Sequence, residues 1–123
     1  MDGRSMRTSR RYFVTLACLL AASCETIHGI SRQLSRSHPL KPEEIREALR
    51  QVPYVEMAIQ MPPGPNVAFD LRLTVRDASA YVEIGPSSAS VSVYWVSHVP
   101  SEGELRWAGL VIDHVSDAIA PFL

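Results

Sequence analysis

Between residues 67 and 76 the side chains alternate without a break. Val67, Phe69, Leu71, Leu73 and Val75 share one parity; Ala68, Asp70, Arg72, Thr74 and Arg76 share the other. Successive side chains of an extended chain point to opposite faces, so this run makes a strand with one dry face and one wet face. Such a strand needs neighbours to satisfy its backbone and a second layer to cover its dry side. That requirement governs how the rest of the chain is read.

The neighbours are visible on both sides. Val55, Met57, Ile59 and Met61 alternate with Tyr54, Glu56, Ala58 and Gln60, which predicts a strand with the first set turned inward. Pro62, Pro63, Gly64, Pro65 and Asn66 then break the pattern as a loop. Asp77, Ala78 and Ser79 read as a turn before a short strand over 81–84, and Gly85, Pro86 and Ser87 as another. Ala89, Val91, Val93 and Trp95 alternate with Ser90, Ser92, Tyr94 and Val96 in a fourth strand. Connections this short favour antiparallel neighbours, because parallel ones need a long crossover.

Two helices flank the strands. Over 41–52, Pro42 suits the first helical position and Glu43 and Glu44 sit at the positive end of the helix dipole. Ile45, Leu49 and Val52 form its apolar stripe, and Pro53 ends it. The second helix opens on Ser101-Glu102-Gly103-Glu104, a capping box. Leu105, Ala108, Val111, Ile112, Val115 and Ile119 fill an apolar arc with Trp107 at its edge. Arg106, Leu110, Asp113 and Asp117 fall outside that arc, and Gly109 falls inward, where a missing side chain suits close approach to the sheet. The expected fold is α+β, in the order α-β-β-β-β-α over residues 41–123. It is a four-stranded antiparallel meander with two helices on one face.

The first two dozen residues are of another kind. Arg4, Arg7, Arg10 and Arg11 precede an apolar run over 13–20, and Ala21, Ala22, Ser23 and Cys24 close it with small side chains. This is the anatomy of an export signal, too short for a permanent bilayer span. The small residues followed by cysteine resemble the lipobox of bacterial lipoproteins, with Ala21 where leucine is usual. The resemblance implies cleavage before Cys24 and acylation of its thiol, the chains including palmitate. Ala21-Ala22-Ser23 also suits an ordinary signal peptidase, which would leave Cys24 a free thiol. Ser9-Arg10-Arg11-Tyr12-Phe13-Val14 resembles a twin-arginine export signal, and both that route and the general one are compatible with the segment. On this reading residues 1–23 are a signal peptide, 24–40 a lipidated polar tether, and 41–123 the globular domain. No domain family is recognised in the last.

Charge and cysteine content bound the function. Cys18 lies in the segment to be removed, so the mature chain keeps one thiol and no internal disulfide. It carries eight basic against twelve acidic residues, which gives no general attraction to nucleic acid. No phosphate loop, nucleophile motif or metal-ligand spacing occurs, and no cofactor is expected. His114 and Asp117 lie three apart on the second helix, which reads as a solvated polar face. The wet sheet face supplies a candidate recognition patch: Tyr54, Glu56, Asp70, Arg72, Tyr81, Glu83 and Tyr94. Tyrosine among charges offers contact area at low entropic cost.

The expectation is a small, non-enzymatic lipoprotein of the bacterial envelope. It is anchored in the membrane through Cys24, with its domain facing the periplasm or the cell exterior. Its partner is another envelope protein, in an interaction, structural or assembly role. The alternative is a soluble exported module that binds a peptide or small ligand.

Overall fold

A computed structural model describes residues 28–75 and 77–123. The signal segment and Cys24 lie outside the described residues. The elements run β1 (His28–Ser35), α1 (Pro42–Arg50), β2 (Val55–Gln60), β3 (Val67–Leu73), β4 (Ala78–Ile84), β5 (Ser88–Trp95) and α2 (Glu102–Ile119), with a closing 3-10 turn over Ala120–Phe122. The five strands form one sheet in the order β1-β5-β4-β3-β2, antiparallel throughout. The α+β class, the meander over β2 to β5 and the two helices match the sequence reading. The strand count and element order do not: a fifth strand precedes the first helix.

That strand occupies what reads as tether in the sequence. β1 pairs with β5 along its full length, from His28 opposite Trp95 to Ser35 opposite Ser88. Ile30 and Leu34 turn inward and pack on the core. A spacing of four residues fits both a helical stripe and one face of a strand, so these two did not distinguish them. The residue between them that shares their face is Arg32, whose charge hides the alternation. At the sheet edge its guanidinium reaches past the core to Asp113 of α2, at 2.5 Å.

The chain after β1 is also held. Arg36 Nη1 donates to the carbonyls of Gly85 and Pro86 at 2.7 and 3.0 Å. The Ser37 and His38 N–H groups donate to Leu123 O. The expected tether over 24–40 is therefore part of the domain from His28 onward.

Both helices cover the same face of the sheet. Ile45 and Leu49 of α1 and Ala108, Val111, Ile112, Val115 and Ile119 of α2 join Phe69, Leu71, Val82, Val91, Val93 and Trp95 in one buried cluster. The α2 capping box is formed: Ser101 Oγ accepts from the Glu104 N–H at 3.1 Å, and Glu104 accepts from the Ser101 N–H at 2.8 Å. Gly109 does not mark a close approach, since a Cβ built there meets nothing within 4 Å. β4 begins earlier than expected, because Ala78 and Ala80 extend the inward row of Val82 and Ile84. Val75 lies beyond the end of β3 and is exposed.

One strand carries a reversed face. Val55 pairs with Leu73, but Met57 pairs with Arg72, so Glu56 is an extra residue in a β-bulge. A one-residue insertion moves every later side chain to the other face. Ala58 is therefore buried beside Leu71, while Met57 and Ile59 join Arg72 and Asp70 on the open side. The expected inward set Met57, Ile59 and Met61 is corrected by that single bulge.

Glycine is required at position 29, where β1 crosses β5. A Cβ there would lie 2.6 Å from Tyr94 Cα and would also strike the Val93 carbonyl oxygen. Gly29→Ala should destabilise the fold by about 1–3 kcal/mol, the usual scale of overpacking. Ser101→Ala should cost about 1 kcal/mol through the lost cap. Urea denaturation reads both, and an unchanged midpoint for Gly29→Ala would mean that β1 does not hold this register.

Candidate functional site

The sheet face opposite the helices has no second layer among the described residues. Its composition follows from the register. One row across the sheet runs Ser31, Ser92, Tyr81, Asp70 and Ile59; its neighbour runs Gln33, Ser90, Glu83 and Ala68. Tyr94 stands between Gly29 and Ser79, and Arg72 stands beside Met57. The face therefore has three zones. β1 and the near side of β5 carry uncharged polar side chains: Ser31, Gln33, Ser90 and Ser92. The centre carries Tyr81, Tyr94, Asp70, Arg72 and Glu83. The β2 edge carries Met57 and Ile59, with Met57 46% exposed.

Five of the seven expected patch residues thus share this face: Asp70, Arg72, Tyr81, Glu83 and Tyr94. Glu56, the bulge residue, lines a shallow cavity of about 220 Å³ with Asp70, Leu71, Arg72, Leu73, Ala78 and Ser79. Burial, then the Glu83 and Asp70 carboxylates and Tyr94, push the Tyr81 phenol above its ordinary value. At neutral pH it is a hydroxyl that both donates and accepts. Glu83 accepts from Asn66 Nδ2 at 2.9 Å, which orients its carboxylate from the β2–β3 loop.

Tyr54 does not belong to this face. It has a φ of 73°, the left-handed region that a side chain disfavours. Its carbonyl accepts from the Thr74 N–H at 2.9 Å, and its ring lies against α2. The Tyr54 and Trp107 centroids are 5.9 Å apart in an edge-to-face arrangement, and His114 is 6.4 Å away. Trp107 in turn meets Trp95 at 6.2 Å. Tyr54 is thus the exposed end of an aromatic chain running into the core. Its reversal comes from the turn between α1 and β2, for which Pro53 was the only sequence signal. The positive φ itself had none.

Several other polar groups have structural partners. Asp113 is engaged by Arg32, and His114 lies beside the Tyr54 ring. Ser97 Oγ, His98 and Glu104 form an exposed hydroxyl–imidazole–carboxylate series, with His98 Nδ1 3.1 Å from the hydroxyl and Nε2 3.1 Å from the carboxylate. The Ser101 backbone N–H, then the His98 side chain, hold the Glu104 carboxyl below the usual range. This carboxylate caps the helix through Oε1 and meets the His98 imidazole through Oε2. Among the described residues no three His, Cys, Asp or Glu side chains converge as a metal site would require. No described helix is long and apolar enough to cross a membrane. Comparison with protein-family models, curated proteins and solved structures finds no match.

Two measurements test these contacts. The left-handed backbone at Tyr54 costs about 1–2 kcal/mol and its aromatic contact returns about 0.5–1.5 kcal/mol. Tyr54→Gly should therefore be nearly neutral alone but stabilising in a Trp107→Ala background, as read by a double-mutant cycle in urea. For Glu104 the folded pKa is depressed. Its contribution is thus present above the unfolded carboxyl range and fades as pH falls through the folded value. The stability gap between the wild type and Glu104→Gln should be clear at neutral pH and shrink by about pH 3, below the ordinary carboxyl range. A gap independent of pH would remove the charged cap.

Proposed function

We propose that this chain is a small, non-enzymatic lipoprotein of the bacterial envelope, anchored by acyl chains on Cys24. The observation that carries this reading is the segment Arg4, Arg7, Arg10, Arg11, an apolar run, then Ala21-Ala22-Ser23-Cys24. Acylation gives that thiol a use in an oxidising compartment, where a lone free cysteine is a liability. Several acyl chains, at about 0.8 kcal/mol per buried CH₂, hold a protein on a membrane lastingly.

The domain acts by presenting a surface to another envelope protein. The best supported surface is the open sheet face, with Tyr81 and Tyr94 among Asp70, Arg72 and Glu83, and the apolar Met57 and Ile59 at its edge. A mixture of rigid aromatic, charged and apolar side chains suits a protein partner better than a polyanion. The soluble-module reading draws on the shallow cavity beside Glu56, Asp70 and Arg72, which suits a small polar group. Tyr54, Tyr81 and Tyr94 do not share one pocket, and that weakens it.

Wild-type protein expressed in a bacterium should incorporate labelled palmitate and fractionate with membranes. Cys24→Ser should incorporate none and move to the soluble fraction. Membrane retention of an unlabelled Cys24→Ser protein would overturn the reading.

A further inference from the structure

The first strand fixes where the anchored end of the domain must lie. β1 begins at His28, four residues after Cys24. Four residues span at most about 14 Å however they are arranged. The headgroup layer on each side of a bilayer is roughly 5–8 Å deep. An acylated Cys24 therefore leaves the start of β1 at most about 6–9 Å beyond the headgroups. The end of the sheet where β1 starts is thus the end held near the bilayer surface.

That end has a distinct surface. Because the strands are antiparallel, the start of β1 shares it with the starts of β2 and β4 and the ends of β3 and β5. His28 and Ala78 both pair with Trp95, and Val55 pairs with Leu73. Beyond those residues stand Val75 in the β3–β4 turn, Val96 after β5 and Val99 in the loop to α2. They are 41%, 41% and 69% exposed. Tyr54, 41% exposed, precedes β2 at the same end, its ring braced on Trp107. The opposite end carries Arg36, Ser37 and the carbonyls of Gly85 and Pro86 in a polar lock.

We propose that the end bearing Val75, Val96, Val99 and Tyr54 rests on the lipid bilayer, its apolar side chains seated among the headgroups. The inference depends on the lipoprotein reading above and adds an orientation to it. Tyrosine and tryptophan favour this boundary because one end of the ring is apolar and the other polar. The left-handed backbone at Tyr54 presents such a ring at the rim. The inference is carried by the apolar side chains of this end and does not draw on its charges. The contact is shallow and apolar, and the acyl chains supply the holding force. The helices and the open sheet face then stand side by side, away from the bilayer. That leaves Asp70, Tyr81 and Glu83 accessible to a partner.

The test uses the full chain, processed in a bacterium and reconstituted into vesicles of phosphatidylethanolamine and phosphatidylglycerol. With Cys24 blocked by its thioether and Cys18 removed with the leader, Val99→Cys offers a single reactive thiol for an environment-sensitive fluorophore. Ser87→Cys, at the opposite end, is the control; both sites are exposed, and circular dichroism checks the fold. The expected result is a blue shift and loss of emission at position 99 with lipids spin-labelled near the headgroup, and neither at position 87. The quenching should persist in high salt. An acylated, vesicle-bound protein whose label at position 99 stays water-exposed, or whose two positions are quenched alike, would overturn the orientation alone. An intact mass without acyl chains would overturn the orientation together with the lipoprotein reading.

Discussion

The pairing of β1 with β5 is the contact on which the rest of the architecture depends. It covers the β5 edge, which would otherwise expose a row of unpaired backbone groups. It brings Ile30 and Leu34 under α2 and lets Arg32 clasp Asp113 from the side. It also fixes the end of the sheet at which β1 begins. Gly29 is the local condition for this pairing, because the two strands approach too closely there for a side chain. A meander of four strands without β1 would have the same core in outline but an open edge beneath α2.

Where one physical cause fixed a residue pattern, the sequence was legible. β3 alternates because one face meets the helices and the other meets water. α2 was placed by its capping box and by the inward row of Ala108, Val111, Ile112, Val115 and Ile119. The misreadings occur where two causes overlap. Ile30 and Leu34 fit both periodicities, and Arg32 between them is a charge on the inner side that an edge strand tolerates and a central strand would not. In β2 the alternation is present in the residues, yet Glu56 shifts it by one, and no residue type announces a bulge. Short β4 residues such as Ala78 and Ser79 resemble turn chemistry and yet extend a strand.

The candidate face shows the same division. Asp70, Arg72, Tyr81, Glu83 and Tyr94 come from strands whose register is regular, so parity alone grouped them correctly. Glu56 and Tyr54 flank the one irregular segment, between Pro53 and Met57. The bulge keeps Glu56 at the border of the face, while the positive φ at Tyr54 carries its ring around to α2. The same irregularity turns Met57 and Ile59 onto the open face, adding an apolar margin to a surface that parity had made mainly polar. Its chemical character thus differs from the expected one chiefly through a single inserted residue.

Tyr54 also links the two halves of the domain in a way that explains why a strained backbone persists. The turn after α1 must deliver the chain to the outer edge of β3, and the Thr74 N–H holds the Tyr54 carbonyl in place there. Glycine would relieve the torsion, but it would leave Trp107 without its edge-to-face neighbour. Behind Trp107 lies Trp95, at the sheet end and fully buried. The ring of Tyr54 therefore shields an aromatic series that would otherwise open to solvent at the rim of α2. A cost of about 1–2 kcal/mol for a left-handed residue is of the same order as one such aromatic contact together with the apolar area it keeps dry. The backbone strain and the packing at this corner are two sides of one balance, and neither is explained without the other.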